Sequence, residues 1–272
     1  MNAPCTTRRN SMSAEALESR RMCSAYLNPN GQLSISGTQY NDLLTVNSNG
    51  ITLTVTEQIA GQTPKTNAFV AQKVTYLSIA GLEGGDWITN NTRVPSYVDA
   101  GPGNDIVDGG YGADIIYGRD GNDMLSGRAG ADYIDAAGGD NGLWGGDGND
   151  TLISWHGKDA LMGNAGDDYL RSYGGNDDLY GGDGNDSLLG GAGNDSLYGE
   201  NGTDFMWGED GNDYFLGGTD NAPDGYIGGS GNDTFCTHWV WYGNGQGWAN
   251  ISKVYDFQNY NYGSGLDIWR NP

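Results

Sequence analysis

Aspartate recurs in this chain at a spacing of nine. The series runs Asp105, Asp114, Asp123, Asp132, then Asn141, then Asp150, Asp159, Asp168, Asp177, Asp186, Asp195, Asp204 and Asp213, with Asp224 and Asp233 closing it. Two residues before nearly every member stands a glycine, from Gly103 to Gly231. An aspartate supplies a hard anionic oxygen, and glycine lets the backbone bend with its carbonyls turned inward. Carboxylates beside bent backbone carbonyls have the chemistry to hold divalent cations, of which calcium takes six to eight oxygens. Metal binding accounts for this regular spacing better than paired catalytic carboxylates do.

The elements that position these groups follow from the rest of the unit. With position 1 set at Ala100, fourteen units start between 100 and 217 in steps of nine. The unit at 217 carries two extra residues, and a fifteenth starts at Gly228. Position 8 is apolar throughout, from Val107, Ile116, Leu125 and Ile134 to Phe215, Tyr226 and Phe235. Glycines at positions 1, 2 and 4 predict backbone with φ > 0. Positions 7 to 9 predict a three-residue strand whose middle side chain points inward. Two units then make an 18-residue coil with a turn at each edge and a strand on each face. Coils stacked at about 4.8 Å bury the position-8 column and pair every strand in parallel.

Three units carry a family resemblance: GGDGNDTLI at 145, GGDGNDSLL at 181 and GGAGNDSLY at 190. They resemble the RTX (haemolysin-type) glycine-rich nonapeptide-repeat calcium-binding family, whose unit reads GGxGxDxUx. The resemblance covers about half of the chain. It implies an all-β fold, a right-handed parallel β-roll or β-solenoid, with each calcium ion between vertically adjacent turns of one edge. One edge has eight turns and the other seven, and about ten ions would nearly cancel the acidic charge. The implied ligands are the aspartates named above. Sites are expected to be weaker at Asn141, which lacks a charge, at Asp159, which follows Lys158, and at Asp224 in the irregular unit.

The chain has 272 residues, 48 of them glycine, and a net charge of −22. Residues 100–236 hold 26 Asp and Glu against four Lys and Arg, so the remainder of the chain cancels to zero. Such a composition alone suggests disorder, but disorder gives no reason for a large apolar residue at every ninth position. The charge excludes nucleic acid and anionic membranes as partners and makes cations the natural ones. No apolar run approaches the roughly 18 residues of a membrane span, and the N-terminus lacks a signal-peptide core. Three cysteines (Cys5, Cys23, Cys236) make no disulfide framework. One core residue per nine is a lean core, so the block is expected to fold only when it binds calcium.

Aromatic residues gather where the pattern degenerates. Trp155 and Tyr173 occupy position 2 of SWHGKD and SYGGND, and the outward position-9 column reads Trp144, Met162, Tyr180, Tyr198, Leu216. Residues 18 apart are vertical neighbours, so this column is a continuous apolar stripe. It is either a packing ladder or an exposed patch for a glycan, a cell-surface component or a partner protein.

Flanking the repeats, residues 31–99 read as an irregular start of the solenoid and its N-terminal cap. Strand-like LSI, LLTV, ITLTV and KVTYLSI are joined there by degenerate turns ending at Asp42 and Asp86. Residues 237–272 read as a C-terminal cap, with Asp256-Phe257 and Leu266-Asp267-Ile268 similar to the closing segment of the same family. Residues 1–30 read as a disordered or targeting segment. Within it ALESRRMCSA resembles a Leu-Glu-x-Arg export segment, with Ser19 in place of the usual proline. No HExxH or GxSxG motif occurs, and His156 and His238 read as ordinary surface or cap residues. The chain is therefore expected to be no enzyme but a secreted or cell-surface calcium-binding repeat protein, structural or adhesive in role. The alternative is a calcium-stabilised carbohydrate-binding module or a fragment of a secreted polysaccharide-active enzyme.

Overall fold

The computed structural model describes residues 24–59, 63–220 and 222–236. It also describes the backbone of strands Trp239–Tyr242, Gly247–Asn250, Lys253–Val254 and Ile268–Arg270. All fifteen position-8 side chains are buried, most of them completely. They form one continuous core with Leu33, Leu44, Leu77, Ile88 and Val98 of the preceding coils. Around this column the chain winds as a parallel β-solenoid of 18 residues per coil. Strands alternate between a 12-stranded and a 13-stranded sheet that share the core. Ile116 pairs with Ile134, and Leu125 with Leu143, each one coil away.

The strands are longer than positions 7 to 9. Ile115–Asp120, Met124–Ala129 and Thr151–His156 each run six residues, from position 7 through position 3 of the next unit. The turn is correspondingly short, because positions 2 and 3 keep pairing with the next coil. The position-4 N–H still donates to the position-3 carbonyl of the next coil, as in Gly148 to Ala165 at 2.7 Å. The glycines also divide their work in a way the sequence alone did not indicate. Positions 2 and 4 take φ > 0, as at Gly146 (φ +116°) and Gly148 (φ +134°). Position 1 does not; there a Cβ would collide with the aspartate of the same turn, as at Gly163 against Asp168. Glycine at position 1 is a matter of room rather than conformation.

Upstream of the repeats the solenoid continues, with one departure. Gln32–Ser36, Tyr76–Ala80 and Ser96–Asp99 stack in parallel on one face, and Asp42–Ser48 and Trp87–Asn91 on the other. Thr52–Ile59 and Lys65–Val70 instead add to the second sheet as an antiparallel extension of Asp42–Ser48. The ITLTV stretch is thus not a coil of the solenoid, because its short connection from Asp42–Ser48 folds it back as a hairpin. Among the described residues the only helix is the short 3-10 turn Ala71–Lys73, and no helix is long and apolar enough to cross a membrane. Residues 1–23, with the export-like segment, Cys5 and Cys23, lie outside the described residues, as do the Asp256-Phe257 and Leu266-Asp267 parts of the terminal motif and His238.

Candidate metal centre

The turn at positions 4 to 6 brings each aspartate inside the edge of the roll. Asp105, Asp114, Asp123, Asp150, Asp177, Asp195, Asp213 and Asp233 are at most 2% exposed. Ion pairs to arginine and lysine form outside this column, at Asp99, Asp108, Asp178 and Glu209. Oδ1 accepts the main-chain N–H of the aspartate one coil earlier. The ladder runs Asp105 to Asp123 (2.9 Å), Asp114 to Asp132 (2.7 Å), Asp150 to Asp168 (2.7 Å) and Asp177 to Asp195 (2.9 Å), donor first. It passes the irregular unit at a separation of twenty residues, from Asp204 to Asp224 at 3.1 Å.

Oδ2 has a different fate. In Asp105, Asp114, Asp123, Asp132, Asp150, Asp159, Asp168, Asp177, Asp186, Asp195, Asp204 and Asp213 it is buried without a hydrogen-bond partner. It faces further lone pairs: a Cβ at Gly181 would meet both the Asp186 Oδ2 and, at 2.8 Å, the Gly199 carbonyl of the next coil. Position-4 carbonyls likewise point at the position-4 glycine of the coil above, as Gly130 does at Gly148. Leaving a buried acceptor unpaired costs about 1–3 kcal/mol, more for a charged group. An array of such buried, unpaired acceptors is one whose cost a cation among them would offset.

Burial is also the largest influence on the acidity of these groups. It pushes the carboxyls of Asp105, Asp123, Asp177 and Asp186 up to about 6, and those of Asp132, Asp168, Asp195, Asp204 and Asp213 to about 7. Asp114 rises furthest, to about 8, and Asp224 reaches about 6, while Asp150 and Asp159 are raised as well. The ladder N–H opposes the rise in nearly every case, and a bound divalent ion would oppose it further.

The donor set is hard oxygen throughout. No group of three or more His, Cys, Asp or Glu side chains converges among the described residues. Each interval between turns therefore offers two carboxylates and several main-chain carbonyls. That suits calcium, which accepts carbonyls and irregular geometry, better than magnesium, which demands a tight octahedron and keeps its waters.

Asn141 is the informative exception. Its Oδ1 keeps the ladder, accepting the Asp123 N–H at 2.9 Å, and its own N–H donates to Asp159 at 2.8 Å. Where the aspartates leave an oxygen orphaned, its amide nitrogen donates to the Gly139 carbonyl at 2.9 Å. An uncharged donor here occupies the gap that a cation would occupy elsewhere. Asp159 keeps an unpartnered Oδ2, and Lys158 points away to Asp178 at 3.5 Å. Asp224 differs again, with the Tyr226 hydroxyl donating to its Oδ2 at 3.4 Å.

Two features went unrecognised in the sequence. Position 5 carries a second ladder, in which Asn122 donates its N–H to the Asn104 side chain at 2.9 Å and Asn194 to Asn176 at 2.8 Å. The signal was present in the repeated Gly-Asn-Asp triplet. Asp42 and Asp86 also join the aspartate column: the Asp42 N–H donates to Asp86 at 2.8 Å, and the Asp86 N–H to Asp105 at 2.7 Å.

The aromatic residues do not form one patch. Trp144, Met162, Tyr180, Tyr198 and Leu216 are vertical neighbours on one sheet, whereas Trp155 follows Thr151 in a strand of the other. Position 2 and position 9 of the same unit fall on opposite faces because the turn at positions 4 to 6 separates them. Within each set the rings stack on one another, Tyr180 on Tyr198 at 4.6 Å and Trp155 on Tyr173 at 4.4 Å. The Arg171 guanidinium lies 4.3 Å over the Tyr173 ring, and the Trp155 indole N–H donates to Asp135 at 3.1 Å.

Residues 97–125, 117–152, 157–188 and 189–221 match the family model of the RTX calcium-binding nonapeptide repeat, in four copies. No curated protein matches the chain. The body of the roll, between residues 97 and 221, is thus similar to RTX calcium-binding repeats.

Proposed function

We propose that this chain, an array of RTX calcium-binding nonapeptide repeats, is a secreted or cell-surface structural protein whose folding is driven by calcium between its stacked turns. The observation that carries this reading is the file of buried aspartate Oδ2 atoms without partners, with a carbonyl of the adjacent coil close by at Asp168, Asp186, Asp204 and Asp213. Asp105, Asp114, Asp123, Asp132, Asp150, Asp168, Asp177, Asp186, Asp195, Asp204, Asp213 and Asp233 are the ligands, with Asp159 and Asp224 weaker and Asn141 a gap. Calcium sites in extracellular modules commonly have Kd of about 10⁻⁴–10⁻³ M. Such sites stay empty in a calcium-poor cytosol and fill outside, so the chain folds after export. Ring-on-ring stacking supports the packing-ladder reading of the aromatic residues, since each stacked face is withdrawn from solvent, while Trp155 stays 41% exposed.

Equilibrium dialysis against calcium, with ion counting, tests the proposal. About ten ions per chain, half-saturating between roughly 0.1 and 1 mM, is the expected result. A count near zero at 10 mM calcium overturns it.

A further inference from the structure

The family repeat begins to match at residue 97, yet the aspartate column on the edge that carries Asp105 and Asp123 does not begin there. We propose that this edge holds one more calcium site, between Asp86 and Asp105, and that the metal ladder ends at Asp86 because Asp42 is satisfied by protein groups. The inference rests on the calcium-binding reading above and adds a site that the repeat motif does not reach.

The turn at 81–86 reads GLEGGD and has only a partial likeness to the repeat, but its backbone follows the repeat's path. Leu82, at position 2, takes φ +84°, and Gly84, at position 4, takes φ +125°. A leucine in that region is strained by about 1–3 kcal/mol. The other non-glycine residues with positive φ, Arg119, Arg128, Asn164, Glu200 and Glu209, all stand at the same position of their own turns. Leu82 is held to the shape of a metal-binding turn even though its sequence has drifted.

The oxygens of this interval match those of the interval below. A Cβ at Gly103 would collide with the Gly84 carbonyl, as one at Gly121 would with that of Gly103. A Cβ at Gly101 would collide with the Leu82 carbonyl, and one at Gly81 with both the Ala100 carbonyl and Asp86 Oδ2. Asp86 is 1% exposed. Its Oδ1 accepts the Asp42 N–H, and its Oδ2 is buried without a partner. The Asp105 Oδ1 closes the rung from below. An interval lined by two buried carboxylates and several carbonyls, with no donor aimed at Asp86 Oδ2, is a hard-cation site.

One rung further up, the chemistry changes. Thr38 donates both its N–H (2.6 Å) and its hydroxyl (2.9 Å) to Asp42 Oδ2. That oxygen needs no cation. On the opposite edge the column ends earlier, at Ser96, whose N–H donates to Asp114 at 2.6 Å and which brings no charge. The two edges therefore end one coil apart. The extra ion on the first edge clamps the coil bearing the antiparallel extension, Asp42–Ser48 with Thr52–Ile59 and Lys65–Val70, onto the repeat array.

Asp86→Asn in the full chain tests the site. Asparagine keeps the Oδ1 acceptor and can donate to the Gly84 carbonyl as Asn141 does to Gly139, so the turn retains its shape. The expected result is one calcium fewer per chain by dialysis and ion counting, with faster hydrogen exchange in Trp87–Asn91 at sub-saturating calcium. Asp42→Asn should leave the count unchanged. Calcium-grown crystals of the wild type should show anomalous density between Asp86 and Asp105 and none between Asp42 and Asp86, a readout that survives a variant that fails to fold. A wild type that binds calcium but shows no ion at that interval, or an Asp86→Asn count equal to wild type, refutes the site alone. A wild type that binds no calcium refutes the function proposed above.

Discussion

Asn141→Asp restores the carboxylate that the repeat pattern leaves out, and the structure sets the size of the effect. The substitution removes the amide that donates to the Gly139 carbonyl, a loss of about 1 kcal/mol. It also buries a charge. Its vertical neighbour Asp123 sits in matching surroundings, where burial pushes the carboxyl from 3.8 up to about 6. At about 1.4 kcal/mol per pH unit, that is roughly 3 kcal/mol at neutral pH. The metal-free fold should therefore be destabilised by about 4 kcal/mol, close to a thousandfold in its folding equilibrium. An ion in the new interval returns about 2.7 kcal/mol at a hundred times its Kd and about 4.1 at a thousand times. In a calcium titration followed by far-UV circular dichroism, the variant should fold at higher free calcium and with a steeper dependence. At saturation it should hold one ion more than wild type. An unchanged midpoint with an unchanged ion count would refute the view that Asn141 stands in for a cation.

Acidity should act in opposite directions with and without metal. The ladder carboxyls are raised to about 6–8 in the folded state and lie near 3.9 unfolded, so the metal-free fold binds more protons than the unfolded chain. That contribution is complete below about pH 4 and is lost as pH rises through about 7. In chelator, strand content should increase on acidification from pH 7.5 to 4.5. In limiting calcium, protons compete for the same oxygens, so the same change should raise the calcium needed for folding. Gly163→Ala places a methyl group against the Asp168 carboxylate and the Gly181 carbonyl. It should cost about 1–3 kcal/mol and raise the calcium midpoint measurably. Gly138→Ala, where φ is not positive and a Cβ meets nothing within 4 Å, should leave that midpoint nearly unchanged. Trp155→Ala removes a ring stacked on Tyr173 at 4.4 Å and should lower the calcium-loaded melting free energy by about 1 kcal/mol, with the ion count kept. Loss of ions in that variant would mean that the aromatic pair is part of the metal architecture.

Several parts of the fold were legible because one physical demand falls on one residue type. The position-8 column from Val107 to Phe235 has to be apolar, since it is the whole interior of the roll, and it is buried at every member. The 18-residue coil follows from that column, and the two extra residues before Asp224 appear as a ladder step of twenty. Strand length was not legible. Glycine is a poor strand former by propensity, yet positions 1 and 2 lengthen most strands of the repeat block, Met124–Ala129 among them, because neighbouring backbones approach closely there. The placement of Trp155 opposite Trp144 depends on which side of a turn each residue falls, something that vertical spacing alone does not encode. Asp86 is legible only as the end of a degenerate turn: Gly81, Gly84 and Asp86 keep positions 1, 4 and 6, but Leu82 at position 2 and the 19-residue step to Asp105 break the register. The antiparallel extension from Thr52 to Val70 has the same alternation as a coil strand, so periodicity could not separate the two.

Far-UV circular dichroism of the full chain, first stripped with EDTA and then titrated with calcium or magnesium, tests the central claim most directly. Strand signal should be largely absent in EDTA, return cooperatively as free calcium passes about 10⁻⁴–10⁻³ M, and fail to return with magnesium at the same concentration. A metal-stripped chain that keeps its strand signal at neutral pH and melts cooperatively at high temperature would contradict it.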